Sequence, residues 1–131
     1  MPDEPVYYID YIYNEENINS QDILSIASLD DLWGKDVDEP LLCIEHLRVT
    51  PDMVTVYQKR DNTLKISIPG VIDLIKFKAS DEECYKLQNP TIGWTELNII
   101  GKANQNEWMG RVSAQIFIED YEIVDAKQWI F

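Results

Sequence analysis

Apolar and polar positions alternate with a period of two over much of the second half of this chain. The clearest run is Arg111 to Ile118. Val112, Ala114, Ile116 and Ile118 share one phase, while Ser113 and Gln115, with Glu119 just beyond, take the other. Such alternation sets one face of a strand on a core and the other in water. Gly93 to Ala103 reads as a second arm. Between the two lies the polar segment Asn106-Glu107-Trp108-Met109-Gly110-Arg111, whose glycine suits a turn. The arms are therefore expected to close a hairpin whose loop displays a tryptophan and an arginine.

Upstream, Val6 to Tyr13 puts Tyr7, Ile9, Tyr11 and Tyr13 on one face, which suits a pleated strand. After a polar break at Asn14 to Asn19, Ser20 is placed to cap a helix reaching about Leu32. Asp22 sits in its first turn, and Ile23, Ile26, Ala27 and Leu29 form its apolar stripe. Gly34 can stop it, and Lys35 to Pro40 is an acidic linker. Leu41 to Val49 and Met53 to Tyr57 read as one long strand interrupted at Pro51, since proline cannot donate to a ladder. Gln58 to Thr63 is a turn, Leu64 to Ile68 a strand, Pro69-Gly70 a turn and Val71 to Phe77 a strand. Ser80 with three following acids opens a short helix to about Leu87, which Asn89-Pro90 ends.

Five strands with a helix between the third and fourth is the order of an OB-fold barrel. The expected fold is mainly β: a five-stranded OB-fold barrel over 40–125, preceded by an acidic strand, helix and linker (1–39) and followed by a short tail (126–131).

Charge changes this picture. The 131 residues carry a net −13, which repels nucleic acid and anionic membrane. Residues 1–47 hold 12 carboxylates against one lysine, whereas 48–78 hold six basic residues against three acidic, so the middle of the chain is locally basic. No apolar run approaches the roughly 18 residues a membrane helix needs. Met1-Pro2-Asp3-Glu4-Pro5 lacks the features of a secretory signal, and Cys43 and Cys84 are too few for a disulfide framework. A cytoplasmic location without membrane attachment is expected.

Several stretches resemble the C-terminal part of RecJ-type single-stranded-DNA-specific exonucleases, over about Ile9 to Asp125. They are Leu29-Asp30-Asp31-Leu32-Trp33-Gly34 through Asp38-Glu39-Pro40-Leu41-Leu42, then Leu64-Lys65-Ile66-Ser67-Ile68, and above all Asn106-Glu107-Trp108-Met109-Gly110-Arg111 with Gln115-Ile116-Phe117-Ile118-Glu119-Asp120. The resemblance implies a helix and linker leading from a nuclease core into an OB-fold, whose closing hairpin carries an Asn-x-Trp-x-Gly tip and a Gln-x-x-x-x-Asp strand. Trp33 and Val37-Asp38 depart from the family's phenylalanine and Gly-Asn. The family's catalytic aspartates and histidines are not in this chain: His46 is the one histidine, and no Asp-His-His run occurs. The resemblance thus implies a single-stranded-DNA-binding module for repair and recombination, with no active site or cofactor of its own. A divalent metal such as Mn or Mg would belong to RecJ-type catalytic domains in cis.

In an OB-fold, oligonucleotides take the loops joining strands one–two and four–five and the face of strands two and three. Those places carry Lys59, Arg60, Lys65, Lys76, Lys78, Trp108 and Arg111, so cations could track phosphates while the tryptophan stacks on a base. The same residues also suit solvated turns, and Trp108 a cap folded back on the barrel end. Asp30-Asp31, Glu82-Glu83 and Glu119-Asp120 read as solvated acids or helix-dipole partners, because adjacent residues diverge too much to chelate. Two further expectations stand beside these: an acidic surface that docks on a basic protein, and a homodimer through the edge of the N-terminal strand, which could instead fold back on the barrel. A monomer mass at micromolar concentration would remove the second.

Overall fold

The computed structural model describes residues 9–28, 40–58 and 60–124. Among the described residues it is mainly β, with seven strands in a single sheet and two helices. In chain order the elements are β1 (Tyr11–Asn14), α1 (Ser20–Ser28), β2 (Leu42–Val49), a one-turn 3₁₀ segment (Pro51–Met53), β3 (Val54–Gln58), β4 (Asn62–Ile68), β5 (Ile72–Ala79), α2 (Asp81–Gln88), β6 (Thr95–Trp108) and β7 (Arg111–Ile123). The sheet order is β1-β2-β6-β7-β5-β4-β3. Neighbours run antiparallel except β1 with β2 and β5 with β7, which are parallel.

Seven strands appear where six are expected, five in the barrel and one before it, because the first long strand is divided. Pro51 splits the first long strand, so β2 and β3 follow one another in the chain yet stand at opposite reaches of the sheet. The expected N-terminal strand is present as β1 and joins the sheet alongside β2, in register from Tyr11 opposite Leu42. Residues 6–8 of the expected first strand, the end of the expected helix and the linker before Pro40 lie outside the described residues.

The core follows the alternation. Leu64 and Ile66 of β4, Ile72 and Leu74 of β5, Leu97 and Ile99 of β6, and Ala114 and Ile116 of β7 point inward and are buried. Ile23 and Ile26 join the same cluster from α1, which packs on β6 and β7. Asn19, not Ser20, caps α1: its Oδ1 accepts the N–H groups of Gln21 and Asp22 at 2.9 and 3.2 Å. Ser80 caps α2 as expected, in a reciprocal pair with Glu83, and Cys84 and Leu87 are the buried face of that helix. Burial pushes the thiols of Cys43 and Cys84 up, and both are free.

Two irregularities shape the sheet. Between Ile44 and Leu47 β2 carries an extra residue relative to β6, and His46 adopts φ 55° there. Its N–H donates to Asn98 Oδ1 at 2.9 Å, and its exposed ring lies 3.1 Å from Glu96. At the slip between Ile100 and Gly101 on β6, the neighbouring strand passes very close. A Cβ on Gly101 would meet Ile116 Cγ2 and the Phe117 carbonyl oxygen at 2.5 Å, so only glycine fits.

Candidate nucleic-acid interface

The β6–β7 hairpin is longer than its sequence suggests. Strand pairing continues from Leu97 opposite Ile123 to Trp108 opposite Arg111, leaving only Met109 and Gly110 in the turn. Both have positive φ, 49° and 78°, the backbone that a tight two-residue hairpin turn demands. The polarity of Asn104, Gln105 and Asn106 suggests a place in or beside the loop, but they lie in the ladder. Gln115 Nε2 donates to Asn104 Oδ1 at 2.7 Å across it. Trp108 is not folded back as a cap: 68% of it is exposed, and 85% of Met109.

On β5, inward Ile72 and Leu74 force Asp73, Ile75 and Phe77 onto the opposite, outward face. On β7, inward Ile116 does the same for Gln115 and Phe117. The parallel register sets Asp73 beside Gln115 and Ile75 beside Phe117. Phe77 and Phe117 then meet edge to face with ring centroids 5.1 Å apart, and Phe77 is 55% exposed. Tyr57 on β3, 48% exposed, sits across from Thr63. The outward face of β3, β4, β5 and β7 is thus an aromatic platform. The sequence signal for it is the phase of Phe77 and Phe117 relative to Leu74 and Ile116.

The five predicted cations among the described residues divide into three groups. Lys65 lies on the outward face, opposite Thr55 and Ile75, with its ammonium 3.6 Å from Asp73. Lys102, not anticipated, plays the same part beside Phe117, its ammonium 3.3 Å from Glu119. Such exposed pairs add little stability, but each neutralises a carboxylate that would repel an anion on this face. Arg60 in the β3–β4 turn, Lys78 at the end of β5 and Arg111 at the hairpin tip are exposed and form no ion pair among the described residues. Lys59 lies outside the described residues.

Lys76 does not join them. It shares the inward phase of Leu74 and reaches Glu83 of α2, with Nζ donating to Oε2 at 3.1 Å, and stands 5.9 Å over the Tyr121 ring. Glu83 also accepts the Tyr121 hydroxyl at 2.6 Å and the Ser80 N–H at 2.5 Å. Burial pushes the Glu83 carboxyl up, but the bonds from Tyr121, Ser80 and Lys76 outweigh it and hold the group below its ordinary value. Burial and the bond to Glu83 push the Tyr121 hydroxyl up. This clamp fastens α2 to the sheet and draws Lys76 away from solvent.

What these features define is a mainly β, OB-like module with an outward aromatic face and a projecting hairpin. The chain belongs to the RecJ OB-domain family, whose description, RecJ OB domain, matches residues 9–120. It is 31% identical, over 126 residues and 96% of its length, to the SPbeta prophage-derived protein YorK of Bacillus subtilis strain 168, provisionally named a single-strand DNA-specific exonuclease. The same figures hold for the YorK protein of Bacillus phage SPbeta. The chain spans 22% of the length of these relatives. Among solved structures it is similar to RecJ in complex with Mn2+ from Thermus thermophilus, at 18% identity and TM-score 0.47, covering 69% of this chain and 12% of that one.

Proposed function

We propose that this chain is the single-stranded-DNA-binding module of a RecJ-like exonuclease acting in DNA repair and recombination, held in cis with catalytic domains that carry the divalent metal and the chemistry. In this reading β2 and β3 are halves of one strand, and the sheet wraps as an OB barrel with α2 at its end. DNA crosses the outward face between Arg60 and Lys78 on one side and the β6–β7 hairpin on the other.

The observation that carries the reading is the outward Phe77–Phe117 pair, on a face where Asp73 and Glu119 are each matched by a lysine. A base has an apolar face and a charged backbone. Exposed rings accept the first at roughly 1–3 kcal/mol per stacked base, and exposed cations at the margins attract the second. Membership of the RecJ OB-domain family supports single-stranded DNA as the class of ligand.

Because Phe77 is more than half exposed, its truncation tests binding without emptying the core. Phe77→Ala is expected to weaken binding of a labelled single-stranded oligonucleotide at least about fivefold while the thermal midpoint moves little. Unchanged affinity would remove the platform from the DNA path.

A further inference from the structure

We propose that the apex of the β6–β7 hairpin is a wedge that stacks on the end of a base-paired stem, so that the module reads the junction between single strand and duplex. The proposal rests on the single-strand reading above and adds a second ligand feature to it.

β7 first pairs with β5 at Gln115, and the hairpin runs four residues further to Arg111. It therefore projects about 13 Å past that pairing. From Gln105 to Ser113 every residue is exposed, so the projection is a free two-stranded ribbon. Its two faces differ. Glu107 and Val112 form one cross-strand pair, while Trp108 with Arg111, Asn106 with Ser113 and Asn104 with Gln115 lie on the other face. That second face holds no carboxylate and continues the row that begins with Lys102 and Phe117 on the sheet. A strand leaving the aromatic platform along it meets amides, a hydroxyl, a cation and then an indole.

The apex itself is apolar. Met109 holds a left-handed backbone that a non-glycine residue rarely adopts, and its side chain with that of Trp108 stands unsupported in solvent. Two large side chains on so narrow a ribbon present far less surface than a specific protein partner requires, commonly ~800 Å² per side. They match the exposed face of a terminal base pair, into which apolar wedges insert, and Arg111 stands beside them for the adjoining phosphate.

The test compares three labelled DNAs by anisotropy with the whole chain: a single strand, a duplex carrying that strand as a tail, and the blunt duplex. The tailed duplex is expected to bind at least about fivefold tighter than the single strand. The Trp108→Ala/Met109→Ala variant is expected to bring that ratio to about one, and Trp108→Phe to retain most of it. Far-UV circular dichroism checks that the hairpin variant is folded. Equal binding of single strand and tailed duplex overturns the wedge and leaves the single-strand reading intact. So does a preference that survives the double variant, or a blunt duplex that binds as well as the tailed one. If none of the three DNAs binds, the single-strand reading itself has failed.

Discussion

Glu83 shows how one residue can decide the fate of others. Its carboxylate collects the Ser80 N–H, the Tyr121 hydroxyl and the Lys76 ammonium, all part-buried or at a helix cap. Replacing it with alanine strands a lysine and a phenol and removes half of the capping box, so a loss of about 2–3 kcal/mol in stability is expected by denaturant titration. The pH dependence follows from the direction of each shift. The folded carboxyl lies below its ordinary value, so its contribution is present above the unfolded value of about 4.3 and fades as pH falls through the lowered folded one. The folded Tyr121 hydroxyl lies above its ordinary value, so its contribution holds below about pH 10 and fades as pH rises through the raised folded value. Glu83→Gln should flatten the acid limb of a stability–pH profile. An unchanged acid limb would show that other carboxylates carry it.

At the scale of elements, Gly101 marks where β6 shifts register and its neighbour passes within contact of the missing side chain. Gly101→Ala must push Ile116 and the Phe117 carbonyl, and the backbone atom cannot swing away. A cost of about 1–3 kcal/mol is expected, read as a lowered denaturation midpoint with little change in slope. Most elements are legible in the sequence because alternation and turn chemistry agree: Leu64 to Ile68, the Pro69-Gly70 turn, the Ser80 cap and the break at Pro51 all stand where local rules put them. The hairpin arms read short, because Asn104, Gln105 and Asn106 have loop-like propensity and only cross-strand pairing reveals them as ladder. Lys76 reads as outward for a related reason. Its inward phase is set by Leu74, yet a charged residue on that phase makes sense only once Glu83 is known to wait beneath it. The aromatic platform needs the parallel register of β5 and β7, which joins residues far apart in the chain, such as Ile75 and Phe117, and leaves no local trace.

For the whole molecule, the problem is a chain of net −13 assigned to an anionic ligand. The acids concentrate in the first third, while on the outward face Asp73 and Glu119 are neutralised by Lys65 and Lys102, and Arg60, Lys78 and Arg111 remain at its margins. A local surface of this kind can bind a polyanion inside a repulsive field, provided that salt has not screened the few attractive contacts. The most direct measurement is anisotropy of a labelled single-stranded oligonucleotide at low and moderate salt, with wild type, Arg60→Glu/Lys78→Glu, and Lys86→Glu as a control on α2, where Lys86 pairs with its own helix through Glu82. Micromolar binding is expected at low salt, falling steeply as salt rises because bound phosphates release counterions. The double reversal should abolish it, and the α2 reversal should leave it nearly unchanged. No binding at low salt, or equal loss in both variants, would mean that the acidic field governs and that the outward face is not a DNA path.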